Sequence, residues 1–178
     1  MAGDQLSLDG LVVSFGAPGR GIAGWNVSGV AHEVDGLPSL PAPQPTPEAS
    51  AHPNGAIGLD HVVVLTPDFD RTAAGLDAAG MPLRRVLERP DGARMGFRRL
   101  GPAILELVES PGAPDGPARF WGLVVIVSDL KALATRLGED LGPLKPAVQP
   151  GRGIATLRDS AGLQEAVAFM DGRGAPDR

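Results

Sequence analysis

The sequence predicts an α+β fold made of two βαβββ units whose sheets join into one curved surface, preceded by an N-terminal β appendage. Three observations carry this expectation. GLDHVVVLTPDFD at 58–70 and RFWGLVVIVSDL at 119–130 superimpose, with Val62-Val63-Val64-Leu65 on Leu123-Val124-Val125-Ile126, Asp68 on Asp129 and His61 on Gly122. Each apolar run leads into an Asp, a helical pattern and a glycine stop. Each helical pattern is followed by three short strand-like runs. A repeated pattern decides the architecture before any single element does. One unit alone would leave a sheet face bare, whereas two joined units give helices outside and a cleft inside.

Residues 1–35 read as a β-hairpin appendage. Leu6, Leu8, Leu11, Val13 and Phe15 flank Asp9-Gly10, a hairpin turn dipeptide. GAPGRG at 16–21 is a glycine-rich turn, because a phosphate loop would need a following Lys-Ser/Thr and a helix. Residues 36–56 carry six prolines and read as a surface linker of extended chain. The main domain spans 57–171, with units at 57–110 and 118–171 and a flexible tail at 172–178. Ile57–Thr66 is a β-branched run bounded by Gly and Pro, hence a strand. Asp68 stands at a helix N-cap position, Phe69, Thr72, Ala73, Leu76 and Ala79 recur at helical spacing, and Gly80 ends the pattern. Strands follow at Leu83–Arg89, Ala93–Leu100 and Ala103–Glu109, separated by the breakers Asp91-Gly92 and Gly101-Pro102. The second unit repeats the order. A strand at Arg119–Ser128 precedes a helix capped by Asp129 and stopped by Gly138, then strands near Lys145–Val148, Gly153–Leu157 and Gln164–Phe169.

Composition removes several classes of function. The 178-residue chain has a formal charge of −5 and no basic stripe, so no nucleic acid is expected as a partner. No stretch approaches the roughly 20 apolar residues of a membrane span, and MAGDQLSLDG lacks the pattern of a secretory signal. With no cysteine there are no disulfides, thiolate nucleophiles or Cys metal sites. A cytoplasmic location is the expectation, and richness in Ala, Gly, Pro and Arg beside scarce Lys fits a GC-rich bacterial genome.

A βαβββ unit that opens on DHVVVLTPDFD, closes on ILELVE and recurs with the opening FWGLVVIVSDL resembles the vicinal oxygen chelate superfamily. That superfamily includes glyoxalase I, extradiol dioxygenases and bleomycin-resistance binding proteins. The resemblance covers about 57–171 and implies a glyoxalase-like fold; it leaves function open, because one fold hosts many chemistries. In metal-dependent members, the opening and closing strands of each unit supply one ligand apiece, often His and Glu. The resemblance therefore points to His61 and Glu106 as metal ligands or catalytic groups in unit one. Alternation along a strand lets both face one cleft, and Zn, Fe, Mn or Ni would suit them. The bland alternatives are a histidine hydrogen-bonded at a strand start and a carboxylate paired with Arg94 or Arg98.

Unit two departs from the pattern. Gly122 holds the opening position, and the closing position, counted from Asp159, falls on Ala166, with Glu165 one residue early and so facing outward. Gly122 is expected where a ligand or backbone approaches closely. Arg94 and Arg98 are candidate anion-binding residues, and Trp121 and Phe120 are candidates for the core or an apolar pocket. Gln149 and Arg152 in VQPGRG, and His32 and His52 nearer the N-terminus, are expected in solvent.

Three functions fit. One is a glyoxalase-like small-molecule-binding protein whose metal site is incomplete in one chain. Another is a metal-dependent lyase, isomerase or dioxygenase whose site a homodimer completes with a second His61 and Glu106. The last is a metal-free epimerase-type enzyme that uses His61.

Overall fold

The computed structural model describes residues 5–8, 11–15, 21–30, 32–41, 52–163 and 165–172. β1 (Gln5–Leu8) and β2 (Leu11–Ser14) form an antiparallel pair. Their Asp9-Gly10 turn, the GAPGR part of the glycine-rich turn and the tail from 173 onward lie outside the described residues. Unit one runs β3 (Ala56–Thr66), α1 (Phe69–Ala78), β4 (Arg85–Glu88), β5 (Arg94–Leu100) and β6 (Ala103–Glu109). Unit two runs β7 (Arg119–Val127), α2 (Leu130–Leu137), β8 (Lys145–Pro146), β9 (Gly153–Thr156) and β10 (Ala166–Asp171).

Eight strands make one sheet in the order β4-β5-β6-β3-β7-β10-β9-β8. The order is symmetric about the antiparallel β3–β7 pair, and each opening strand lies parallel to the closing strand of its own unit. This is the paired-unit fold expected from the repeat. Both helices begin as the sequence implies: Asp68 accepts from the Arg71 N–H and Asp129 from the Ala132 N–H. Gly80 and Gly138 follow the helices with φ of 78° and 54°, in the left-handed region that favours glycine.

One sheet face buries the helices. Phe69 and Leu76 of α1 meet Val64, Leu105 and Leu107, while Leu130 and Leu133 of α2 meet Val125, Val127 and Phe169. The other face is the cleft. His61, Ile104, Glu106 and Phe97 share it through the β3–β6 and β6–β5 registers. In unit two it carries Val124, Ala168 and Met170, packed with Ala147 and Ile154. These five form an apolar patch on the unit-two half of the cleft, with Thr156 opposite Ala168 and Lys145 opposite Ile154 on the same face.

The N-terminal segment departs from expectation. The chain from 32 to 41 lies against unit one: Val34 and Leu37 belong to its core, with Leu37 fully buried, and Trp25 meets Phe120 edge-to-face at 5.3 Å. Asp35, at φ 45°, accepts from Arg71 Nε at 2.8 Å and from the Thr72 hydroxyl. The proline-rich run therefore starts as packed chain, because Val34 and Leu37 supply apolar area that α1 and its sheet leave uncovered. Residues 42–51, the middle of the expected linker, lie outside the described residues. No helix among the described residues is long and apolar enough to cross a membrane.

Candidate functional site

The site begins with an irregularity in β3. Leu59 pairs with Val125 and His61 with Val124, so Asp60 is an extra residue in the strand. Such a bulge breaks the strict alternation of side chains. Asp60 and His61, consecutive residues, consequently meet: Asp60 Oδ2 lies 2.9 Å from His61 Nδ1. On the other side His61 Nε2 lies 3.4 Å from Glu106 Oε2. Behind Asp60, Arg152 Nη1 donates to Asp60 Oδ1 at 2.9 Å. Four ionisable groups thus run in series, Arg152–Asp60–His61–Glu106.

Exposure grades along the series. The Arg152 and Asp60 side chains are 8% and 10% exposed, while His61 and Glu106 each retain 16%, so the inner pair still reaches the cleft. The His61 hydrogen bond is the chief influence that draws the Asp60 carboxyl below its ordinary value; burial opposes it and Arg152 reinforces it. Burial pushes the Glu106 carboxyl up; His61 pulls it back in part and the negative charge of Asp60 adds to the rise. With Asp60 on Nδ1, the imidazole orientation is fixed and Nε2 is aimed at Glu106. The two carboxyl groups are shifted in opposite directions, which is how neighbouring acids come to take different roles.

The other residues singled out in the sequence take different places. Phe97, not Arg98, is opposite Glu106. Arg94 lies on the helix face, where it bonds Glu109 at 2.9 Å and Asp70 at 2.7 Å and covers the Phe69 ring at 4.6 Å; both carboxylates hold it more firmly protonated. Arg98 shares that parity. The reason is Gly96 between them, whose face is filled by Leu83 and Phe69 of the helix side. Neither arginine pairs with Glu106. The arginine on the Glu106 side of β5 is Arg99, opposite Ile104.

Gly122 answers to packing. It pairs with Val63 and with Ala166, and a Cβ placed there would stand 2.2 Å from the Ala166 carbonyl oxygen. The close approach is made by β10 backbone, so the position mirroring His61 is filled without a side chain. Ala166, opposite it, offers no donor either. Trp121 lies in a further β3–β7 irregularity and is 44% exposed, so of the two aromatic candidates Phe120 alone joins the core. Glu165 stands before β10 and packs over Gly21. Arg152, expected in solvent, is instead part of the site. His52 bonds Asn54 locally, and His32 is exposed.

Asp60 and Arg152 were not expected in the site. DH within the β3 run gives no sign that the two side chains meet, and Arg152 lies 92 residues from Asp60 in sequence. A metal, which the resemblance implies, would find in one chain only His61 and Glu106 at the superfamily's ligand positions. Among the described residues no group of three or more His, Cys, Asp or Glu could hold an ion. The donor set of a single chain does not fit a resident metal, which needs at least three protein ligands.

No family model matches the sequence, and no curated protein matches it. Solved structures do match in fold. A methylmalonyl-CoA epimerase from Mycobacterium tuberculosis is 20% identical, with a TM-score of 0.54 over 69% of this chain and 93% of that one. The Streptomyces coelicolor methylmalonyl-CoA epimerase in complex with 2-nitronate-propionyl-CoA is 15% identical, with a TM-score of 0.53 over 69% and 99%. A methylmalonyl-CoA epimerase in complex with methylmalonyl-CoA and NH4+ is 16% identical, with a TM-score of 0.52 over 65% and 94%.

Proposed function

The chain has the glyoxalase-like fold of the vicinal oxygen chelate proteins, and we propose that its cleft binds a small acyl compound on which His61 moves a proton. The observation that carries this reading is the Asp60–His61–Glu106 array, with His61 oriented from behind and a burial-raised carboxyl in front. In an epimerase-type reaction, neutral His61 Nε2 accepts the proton from the carbon next to a carbonyl, leaving an enolate. Asp60 stabilises the resulting imidazolium. A proton delivered from water to the opposite face of that carbon inverts the centre; the imidazolium then passes its own proton to Glu106, 3.4 Å away, and Glu106 returns it to water, which restores the array. Electrons and protons balance with no co-reactant but water. The epimerase names of the structural neighbours support the reaction class.

A second reading rests on one distance. Two ligands about 2.1 Å from a single tetrahedral ion stand roughly 3.4 Å apart, which is the His61 Nε2–Glu106 Oε2 separation. Two chains related by a twofold axis would then complete a His₂Glu₂ set between them. One experiment divides the two readings. Methylmalonyl-CoA is incubated with the protein in D2O, with and without a chelator, and deuterium at the α-carbon is followed by mass spectrometry. Exchange that survives the chelator and is lost in His61→Asn supports the metal-free reading. Exchange lost to the chelator, with about one metal per dimer, replaces it with the shared site.

A further inference from the structure

We infer that the pocket behind Asp60 is a carboxylate-binding subsite built on Arg152 and Arg99. It has a volume of about 380 Å³ and is lined by Ile57, Asp60, Arg99, Ile104, Ile126 and Arg152, with Gly58, Pro102 and Gly172 completing the wall. It opens on the cleft side of the sheet, since Ile104 is the register partner of both His61 and Arg99.

Two observations point to an anionic ligand. Arg152 is more than nine-tenths buried; its Nη1 is held by Asp60 at 2.9 Å and its Nε by the Asp171 carbonyl at 2.6 Å, yet its Nη2 is buried without a hydrogen-bond partner. A buried charged donor left unmet costs free energy until an acceptor arrives. Arg99, on the same face, donates only to the Pro102 carbonyl at 3.3 Å and meets no carboxylate among the described residues. The pocket therefore holds two guanidiniums against one carboxylate, Asp60, and leaves a net single positive charge. That balance suits a monoanionic, planar carboxylate, which guanidinium recognises in a forked geometry, better than a phosphate dianion facing Asp60. Ile57, Ile104 and Ile126 suit a short branched apolar body beside that carboxylate.

The subsite deepens the reading above and rests on it for its purpose, while its binding is measurable without turnover. The test is an amide NMR titration of the full chain with isobutyrate, isobutyramide and inorganic phosphate. Isobutyrate is expected to give saturable shifts at Ile57, Ile104, Ile126 and Gly172, weakened about tenfold or more in Arg99→Gln and retained in His61→Asn. Arg99 is exposed on the strand, so its replacement leaves the fold intact, whereas Arg152→Gln would also unpair Asp60. Equal binding of the amide, tighter binding of phosphate, no saturable shift, or unchanged affinity in Arg99→Gln would each overturn the subsite. Isobutyrate binding without exchange at His61 would sink the proton-transfer reading and leave the subsite standing.

Discussion

His61 has one ring nitrogen committed to Asp60 and the other facing a carboxyl that burial makes reluctant to ionise. That arrangement sets a sign for stability. A carboxyl whose folded pKa is raised stabilises the fold at pH below its unfolded value, and that contribution is lost as pH rises through the folded value. Ionised Glu106 is therefore a liability at neutral pH, and Glu106→Gln is expected to raise Tm there by about 2–4 °C, on the order of 1 kcal/mol. The gain should shrink as pH falls below the ordinary carboxylate range; thermal melts at pH 7 and pH 3.5 check it. His61 and Glu106 could be picked out of the sequence because they lie in the opening and closing strands of a recognisable repeat unit. Asp60 could not, because a bulge that turns two consecutive side chains toward each other leaves no periodic trace.

At the level of the element, the repeat explains more than the chemistry does. Caps, stops and strand order were legible in both units because Asp68, Asp129, Gly80 and Gly138 act through local backbone geometry. Face assignment in β5 was not legible: Arg94 and Arg98 are as far apart as a shared face requires, but the face is chosen by Gly96 admitting Leu83 and Phe69. Gly122 shows the same thing from the other side, since its role depends on β10, some forty residues on. Gly122→Ala is expected to cost about 1–3 kcal/mol, because its methyl would meet backbone rather than a movable side chain. Denaturant unfolding measures it, and a loss well under 0.5 kcal/mol would mean β10 gives way easily. A ligand side chain cannot simply be restored at that position.

Across the whole molecule, the N-terminal segment and the doubled unit are one structure. Val34 and Leu37 close the unit-one core, and Asp35 ties that segment to Arg71 and Thr72 of α1. The sequence concealed this because a proline-rich stretch looks like a linker by composition, and two apolar residues ahead of its main run carry no period. Leu37→Ala is expected to lose about 2–4 kcal/mol, as buried leucines do, which chemical denaturation would show. A loss below about 1 kcal/mol would place the segment outside the cooperative core.

The most direct test of the central claim is the rate of α-proton exchange on the acyl thioester probe, compared between the wild-type chain, His61→Asn and Asp60→Asn in the presence of chelator. A fall of about a hundredfold or more is expected in His61→Asn, and an intermediate fall in Asp60→Asn, which keeps the base but loses the carboxylate charge that stabilises its imidazolium. Exchange at the wild-type rate in His61→Asn would contradict the account and leave Asp60–His61–Glu106 as an ion network that only holds the strand.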